Sequence, residues 1–471
     1  MAKIIGRKAE LAELQQLYNS KKSEFVALYG RRRVGKTYLV RNAFEGTINF
    51  QFSATANSKM SIQLTYFNIA LQEASGRELP LAENWIQAFQ QLIDYLENLP
   101  NGRKVVFIDE MPWLDTPKSD FMPALEHFWN SWASARTDIL LIVCGSASSW
   151  ITNKLINNKG GLHNRITQRI KLQQFTLREC EEYLQELEIS WERRDIAACY
   201  MIIGGIPFYW SLLKKGKSLA QNVDYLFFSE ISPLRDEFRN LYASLFKHHE
   251  KYVQIVELLA SKASGLLRSE IVELQGDNSG GGLTRILDDL ETCGFIRKIY
   301  RLGNKVQNAV YQLADFYTLY YFLFLKTPVI KTANWWSSMQ NTPAFSTWSG
   351  YAFEQVCIAH THSILQSLSI GGVQSNIFPW RSKQKKGGAQ IDLIIDRNDN
   401  VVNLCEMKFV NKSFSISADY AEELRNKIDV FQQETKCRKS IFLTMITTYG
   451  IATNKYSGMV QNSLTIDDLF L

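Results

Sequence analysis

Residues 25–37 read FVALYGRRRVGKT, a short apolar run followed at once by a loop that contains two glycines, a lysine and a threonine. The last eight letters fit the pattern G-x-x-x-x-G-K-[ST] in full, with an apolar strand before it and a helix-forming stretch after it. Glycines at this spacing let consecutive backbone N–H groups curl around phosphate oxygens at the start of a helix. The predicted phosphate-binding residues are Gly30, Arg31, Arg32, Arg33, Val34, Gly35, Lys36 and Thr37.

A second apolar run, residues 105–108, ends in the two carboxylates Asp109 and Glu110. This pattern predicts a buried strand that delivers Asp109 to a metal ion held together with Thr37. Lys36 is expected to reach the β- and γ-phosphates, while Glu110 polarises the attacking water. Because of Glu110, hydrolysis is favoured over phosphoryl transfer to a small acceptor, and the sequence predicts a Mg²⁺-dependent nucleoside triphosphatase.

A third apolar run, residues 139–144, ends at Gly145 and Ser146. The Ser146 hydroxyl is a candidate to contact the γ-phosphate, and a small polar turn is the other interpretation. Apolar runs of this kind alternate with long amphipathic segments in the first half of the chain, which predicts an α/β domain with a parallel sheet.

Residues 426–429 read NKID and match the guanine-reading string N-K-x-D. They lie far beyond the phosphate-binding loop, on a helical stretch of another predicted domain. We therefore interpret the match as chance and expect ATP as the nucleotide.

The rest of the chain divides into two further predicted domains. Residues 1–235 form the P-loop domain with a helical lid, which begins near Ile166. Residues 236–330 form a winged helix and a connector, because three helices, with a break at residues 280–282 before the third, precede a hairpin. Residues 331–471 form a second α/β domain that starts with one helix over residues 351–368.

Two predicted strands of the last domain carry a possible metal site. Asp392 lies on the first, and period-two alternation puts Glu406 and Lys408 on one face of the second. Asp392, Glu406 and Glu354 are candidate Mg²⁺ ligands, and Lys408 is placed to orient or deprotonate water for attack on a phosphodiester. The pattern resembles the D…ExK nuclease core, although Ile391 stands where proline is frequent. A degenerate nuclease fold kept for binding or assembly is the alternative.

The charge gives only local support for a nucleic-acid partner. The 471 residues carry a net charge of +6, and none of the three predicted domains is strongly basic. Contact with DNA is therefore expected from patches alone, one formed by Arg381, Lys383, Lys385 and Lys386 and another by the wing residues Arg297, Lys298, Arg301 and Lys305. The third helix of the predicted winged helix is acidic, which favours protein packing or non-specific duplex contact over base readout.

The sequence also indicates where the protein works. Neither a secretory leader nor a membrane-spanning run is expected, since the apolar runs fall short of about 20 residues. Seven cysteines without a CxxC pair suit a reducing compartment. We therefore expect a cytoplasmic protein.

These motifs together resemble the prokaryotic P-loop ATPases related to AAA-type and STAND ATPases. The resemblance rests on Ile5-Gly6-Arg7, the loop 29–37, the strand ending at Asp109-Glu110 and Gly204-Gly205-Ile206-Pro207. In that family a winged helix and a domain similar to restriction endonucleases of the PD-(D/E)xK type often follow, and the resemblance covers nearly the whole chain.

The resemblance implies several site roles. Lys36 and Thr37 take the Walker A role, Asp109 and Glu110 the Walker B role, and the sensor lies near Ser146. A nucleotide-facing role is implied for Gly205 and Pro207. Arg165 stands where such ATPases often place an arginine finger, which implies a homo-oligomer; Arg169 and a plain surface role are the alternatives.

Two functions fit the sequence. In the first, ATP hydrolysis controls a C-terminal nuclease that acts on nucleic acid. In the second, ATP turnover gates a protein interaction, and the nuclease fold is inert.

Overall fold

The structure is a computed structural model that describes residues 4–157, 160–246, 248–275, 280–300, 309–326, 332–340, 342–384 and 388–471. Arg301, Lys305, Lys385 and Lys386 of the predicted basic patches lie outside these residues. The chain forms two compact units. The first contains Met1–Gln174, Asn240–His249 and Asp288–Cys293, and the second contains Phe175–Arg239, Glu250–Leu287 and Gly294–Leu471. Most of the predicted helical lid, Phe175–Arg239, thus belongs to the second unit, and the two boundaries between the three predicted domains stay predictions.

The first unit is built on five parallel strands in the order β2-β3-β4-β1-β5. β1, β3 and β4 are buried almost throughout, as expected of apolar runs in a sheet covered on both faces. The parallel α/β sheet that the sequence predicted is confirmed. Its elements are α1 Lys8–Tyr18, β1 Glu24–Tyr29, α2 Lys36–Ala43, β2 Ile48–Ser53, α3 Met60–Ser75, α4 Trp85–Glu97, β3 Lys104–Asp109, α5 Phe121–His127, β4 Ile139–Gly145, α6 Ser148–Trp150 and β5 Gln168–Lys171.

The strand β5 corrects the sequence interpretation, which had the chain turn helical from residue 166. β5 pairs with β1 at the edge of the sheet, and Leu28 lies opposite Ile170. Only Ile170 is apolar in this four-residue strand, so the sequence has no apolar run that would predict it. An edge strand has one neighbour, and its polar side chains face solvent.

The middle of the chain is mostly helical. Its elements are α7 Leu177–Glu186, α8 Arg193–Ile203, α9 Pro207–Trp210, α10 Leu219–Phe227, α11 Glu237–Ala243, α12 His249–Ala260, β6 Leu266–Leu267, α13 Arg268–Gln275, α14 Gly280–Thr292, β7 Ile296–Ile299 and β8 Val310–Leu313. The three short strands form an antiparallel sheet in the order β6-β8-β7. Assignment of this segment as a winged helix stays a prediction.

Residues 280–282, predicted as a break, instead form the first turn of α14. Glycine costs a helix backbone entropy, but the first-turn N–H groups have no intrahelical partner in any case. The apolar face of the remaining turns stabilises α14 despite its glycines.

A second, mixed sheet of five strands occupies the end of the chain, in the order β13-β12-β11-β10-β9. β9, β10 and β11 are antiparallel neighbours, whereas β12 runs parallel to β11. The elements are α15 Phe316–Tyr320, α16 Trp335–Met339, α17 Pro343–Ala359, α18 Thr361–Ser367, β9 Ser375–Arg381, β10 Gln390–Arg397, β11 Val401–Lys408, α19 Ala418–Thr435, β12 Ser440–Thr447 and β13 Asn462–Leu464. The α/β character of this segment agrees with the prediction.

The helix predicted over residues 351–368 is two helices, because α17 ends at Ala359 and α18 starts at Thr361. The buried side chain of His360 occupies the break: its Nδ1 lies 2.9 Å from the carbonyl oxygen of Val356. Its Nε2 accepts a hydrogen bond of 3.0 Å from the Leu177 N–H at the start of α7. A histidine that bonds main-chain groups on both sides ties the lid helices to the C-terminal part of the second unit.

Lowering the pH is expected to destabilise this junction. Burial lowers the pKa of His360 to about 4, from 6.5 in the unfolded chain. As the pH falls, the unfolded state therefore takes up a proton on His360 before the folded state does. The contribution of neutral His360 to the free energy of unfolding is complete above pH 6.5 and is lost as the pH falls towards 4. The loss amounts to about 3 kcal/mol.

Urea unfolding of wild type and a His360→Gln variant at pH 7 and pH 4.5 checks this expectation. The variant is less stable at pH 7, and the difference shrinks at pH 4.5. The neighbouring exposed His362 gives the control, since His362→Gln is expected to track wild type at both pH values. An unchanged difference between wild type and the His360 variant would contradict the assignment.

Candidate functional site

The phosphate-binding loop connects β1 to α2. Gly35 directly precedes α2 with φ 93°, and no side chain caps the helix there, so its first N–H groups are left for an anion. Gly30 has φ 153°, and a Cβ at this position would stand 2.3 Å from the carbonyl oxygen of Leu172. The close approach of the two backbones therefore requires glycine at position 30.

Lys36 is buried inside the loop. Its Nζ donates hydrogen bonds of 3.0 Å to the carbonyl oxygens of Gly30 and Arg31 and to Ser146 Oγ. The loop itself is braced by Arg7, whose Nη2 donates to the carbonyl oxygen of Val34 at 3.3 Å. The ammonium group is thus held next to the uncapped helix start, as the chemistry of a bound triphosphate requires. Arg31 is buried, and Arg32 and Arg33 are partly exposed.

The predicted metal ligands of the loop meet each other. Thr37 Oγ1 donates a hydrogen bond of 2.7 Å to Asp109 Oδ2, at the end of β3. The other carboxylate oxygen, Oδ1, accepts from the Glu110 N–H at 2.9 Å. A hydroxyl and a carboxylate beside a phosphate site are a donor set that suits Mg²⁺. The residues present therefore fit ATP with Mg²⁺.

Glu110 and Ser146 form a second contact at the same end of the sheet. Glu110 Oε1 accepts from Ser146 Oγ at 2.5 Å, and Oε2 accepts from the Ser146 N–H at 3.2 Å. Glu110 has φ 49°, an unfavourable backbone conformation for this residue type and one found at functional sites. Because Ser146 also contacts Lys36, it links the lysine to the acid. The interpretation of Ser146 as a mere polar turn is thus less well supported, and its contact with the γ-phosphate stays a prediction.

The other predicted residues of the ATP site lie elsewhere. Arg165 and Arg169 are exposed on the first unit. Gly205 and Pro207 belong to the second unit, where a Cβ on Gly205 would stand 1.9 Å from the carbonyl oxygen of Phe175. Pro207 begins α9. The close approach to Phe175 explains the glycine at position 205, and the start of a helix explains the proline at position 207. Their nucleotide-facing role stays a prediction.

In the second unit the four predicted nuclease residues come together. α17, which carries Glu354, packs against β11, which carries Glu406 and Lys408. Asp392 lies at a register shift between β10 and β9, and its Oδ2 accepts from the Met407 N–H at 3.4 Å. A bulge of this kind re-aims a side chain.

Burial and neighbouring charges shift the pKa values of the three acids. Burial, followed by the charge of Asp392, raises the pKa of Glu354 to about 8 and that of Glu406 to about 7. Burial also raises the pKa of Asp392, although Lys427 and Lys408 oppose the rise. Carboxylates crowded in this way favour uptake of a cation or a proton. We call the set Glu354, Asp392, Glu406, Lys408 and Lys427 the carboxylate cluster.

Lys427 belongs to the string that the sequence interpretation assigned to chance. Its Nζ lies 2.7 Å from Glu406 Oε2 and 3.2 Å from Glu423 Oε1. Tyr420, Glu423 and Lys427 stand at positions i, i+3 and i+7 of α19, and the Tyr420 hydroxyl donates to Glu406 Oε2 at 3.3 Å. This shared helix face was the signal that a search for nuclease residues would have needed.

One oxygen of the cluster has no hydrogen bond. Glu406 is 1% exposed, and its Oε1 accepts no hydrogen bond from the described residues. Across those residues no three His, Cys, Asp or Glu side chains stand close enough to hold a metal ion. Glu354, Asp392 and Glu406 therefore do not form a complete set of metal ligands. Lys427 supplies the positive charge next to Glu406. The orphaned oxygen and the excess of acid still suit a hard cation in their chemistry.

The described helices include none that is long and apolar enough to cross a bilayer.

Comparisons with known proteins support an ATPase. Residues 4–213 match a family model described as an ATPase domain predominantly from Archaea. An uncharacterised protein of Methanocaldococcus jannaschii is 23% identical over 417 residues, which cover 86% of this chain and 87% of that protein. An uncharacterised ATP-binding protein of the same organism is 46% identical over 41 residues, 9% of this chain and 70% of that protein. Among solved structures, a Walker-type ATPase of Pyrococcus abyssi has a TM-score of 0.48 and 17% identity, covering 68% of this chain and 96% of that one.

Proposed function

We propose that the ATP hydrolysis of this ATPase requires Mg²⁺ and controls a phosphodiesterase site at the carboxylate cluster. The observation that carries the proposal is the cluster itself: the buried Glu406, the half-buried Glu354 and Asp392, and two lysines, gathered from α17, β10, β11 and α19. Crowding acids away from water costs stability, and such groups concentrate at functional sites.

In the first unit the chain's own groups account for the chemistry. Water adds to the γ-phosphorus, the bond to the bridging oxygen breaks, and ADP and phosphate form, while Glu110 accepts the proton. Lys36 neutralises the phosphate charge, and Thr37 with Asp109 would hold Mg²⁺, which would supply further positive charge for the triphosphate when bound. Ser146 orients Glu110 through its two hydrogen bonds to the carboxylate.

Arg165→Ala is expected to lower turnover by about 10³-fold with little change in ATP affinity, because a finger stabilises charge only in the transition state. The exposed position of Arg165 suits a finger given to a neighbouring copy, so the specific activity is expected to rise with protein concentration. Steady-state ATPase assays at several protein concentrations measure both effects.

Arg169→Ala is the matched control, since this exposed arginine stands four residues away. A larger loss in Arg169→Ala would transfer the role to Arg169. A rate per molecule that does not depend on protein concentration would contradict donation between copies.

In the second unit we propose hydrolysis of a nucleic-acid phosphodiester. Water adds to phosphorus, the bond to one ester oxygen breaks, and the leaving oxygen takes the proton. Lys408 orients the water. A divalent cation, held by Asp392 and Glu406 with Glu354 beside them, would supply Lewis-acid stabilisation when bound. The segment of α12 to β8 is proposed to be a winged helix that contacts the nucleic acid or packs against it.

The test is direct. Plasmid DNA and single-stranded DNA are incubated with the full chain in Mg²⁺ or Mn²⁺, with and without ATP. We expect cation-dependent nicks or shortened strands whose rate changes with the nucleotide. Intact DNA and RNA under every condition would refute the nuclease proposal and leave the ATPase untouched.

A second candidate function has its own supporting observation. The Lys427–Glu406 ion pair neutralises the acid that the metal would need, and the described residues close no three-ligand metal set. An ATP-driven switch that gates a protein interaction, with an inert nuclease fold, accounts for both facts. The same incubation distinguishes the two functions.

A further inference from the structure

The carboxylate cluster borders a cavity of about 390 Å³ within the second unit. One wall is formed by the segment before β6 and by the small antiparallel sheet, including Ser264 and Gln312. The other wall is formed by α17, β9 and β10 and carries Gln355, Arg381 and Asp392. We call this space the cluster cavity. Asp392 and Glu354 at its lining connect it to the proposed reaction site.

The cavity carries the groups that a nucleotide needs. Arg381 places positive charge at the lining, opposite in sign to a phosphate, while Lys262 at the same lining is paired with Glu270 at 2.8 Å. Trp380 adds an aromatic ring, the surface on which proteins stack unpaired bases.

One buried polar atom of a residue that lines the cavity, and one of a residue bonded to that lining, are left unsatisfied. Gln355 lines the cavity and is 2% exposed, and its Oε1 accepts no hydrogen bond from the described residues. Behind Gln312, the Nε of Arg297 donates to Gln312 Oε1 at 2.8 Å, while Arg297 Nη2 is buried and donates to none of those residues. A buried amide oxygen without a donor and a buried guanidinium nitrogen without an acceptor both favour a polar ligand.

The volume restricts the ligand. About 390 Å³ lies near the lower end of the roughly 300–1,000 Å³ typical of pockets for small ligands. A duplex is far wider, since its major groove alone measures about 12 Å. Residues of the small sheet also line the cavity, and we expect a strand to reach the cluster only where its base is unpaired.

We propose that the cluster cavity binds one unpaired nucleotide of a nucleic-acid strand and presents its phosphate to the carboxylate cluster. The substrate class is therefore a single-stranded end or flap. This inference rests on the proposed nuclease function for its purpose, but it makes a separate claim about binding.

The test measures binding without cleavage. The full chain is titrated, once in EDTA and once in Ca²⁺, which can neutralise the carboxylates, against fluorescein-labelled 20-mers of single-stranded DNA, single-stranded RNA and blunt duplex DNA, and fluorescence anisotropy is recorded. A free nucleoside monophosphate as competitor distinguishes a strand from a single nucleotide. We expect the single strands to bind at least tenfold more tightly than the duplex.

Three variants locate the binding. Ser264→Trp fills the cavity from a partly exposed position and is expected to remove single-strand binding. Arg381→Ala is expected to weaken it at least fivefold. Arg438→Ala removes an equal charge from an exposed site outside the cavity lining and is expected to bind as wild type does. Normal ATP hydrolysis and an unchanged melting temperature show that each variant is folded.

The outcomes separate the two proposals. If single strands bind preferentially but are not cleaved in Mg²⁺ or Mn²⁺, the result supports nucleotide binding in the cluster cavity and refutes the nuclease function. Cleavage of duplex and single strand at equal rates supports the nuclease and refutes the cavity. Equal binding of duplex, an unaffected Ser264→Trp variant or the absence of any binding overturns the inference.

Discussion

Replacing Glu110 by glutamine is expected to leave ATP bound and to reduce its hydrolysis by about 10²–10⁴-fold, the contribution typical of a general base. The amide oxygen of glutamine can still accept the hydrogen bond from the Ser146 N–H, and its NH2 group can donate to Ser146 Oγ, so the loop geometry is kept while the proton acceptor is lost. Fluorescent ATP-analogue binding and phosphate release, measured on the same preparation, give the two quantities.

Lys36→Ala gives the contrasting outcome. Because Lys36 neutralises phosphate charge already in the bound state, its loss weakens ATP binding as well as turnover. Glu83→Gln makes the same chemical change as Glu110→Gln at an exposed site of the first unit and is expected to behave as wild type. Parental hydrolysis by Glu110→Gln would show that another group activates the water.

The second large effect is expected at Asp392. Asp392→Asn keeps the size and the oxygen that accepts from the Met407 N–H but removes the charge that a cation needs. Nicking of plasmid DNA is expected to fall below detection, by at least about 10²-fold, while ATP hydrolysis continues. Lys408→Ala should have the same consequence if it orients the water.

Asp399→Asn is the matched control, because Asp399 is exposed between β10 and β11 and pairs with Arg397. Nicking should persist in this variant. Equal nicking by Asp392→Asn would place the reaction outside the carboxylate cluster or reveal a contaminating nuclease.

Features that local pattern determines could be predicted from the sequence. The strands ending at Tyr29, Asp109 and Gly145 are uniform apolar runs, and the loop between Gly30 and Thr37 has a spacing that phosphate chemistry dictates. The cluster residues on α17, β10 and β11 were also predicted, from period-two alternation and helix spacing. Their positions need only the local geometry of a strand or a helix, which sequence patterns carry well.

The features that were missed depend on tertiary contacts. Lys427 joins the cluster only because α19 packs its Tyr420–Lys427 face towards Glu406, a contact that no local pattern contains. The edge strand β5 lacks an apolar run, and the break at His360 is tied to a hydrogen bond from Leu177, 183 residues away in sequence. In each case a partner distant along the chain overrides the local preference.

The attachment of the lid helices to the C-terminal sheet also constrains how this protein can evolve. α8 packs against α15 and α17, and Tyr200 contacts both Phe316 and His360 at ring distances of 5.1 Å. Arg193 pairs with Asp467, and Arg194 bonds Asn411. A recombination that replaced residues 331–471 would remove α17, His360, Asn411 and Asp467 and leave part of the surface of α7 and α8 uncovered. We therefore expect the lid helices and residues 331–471 to be exchanged together, as one block.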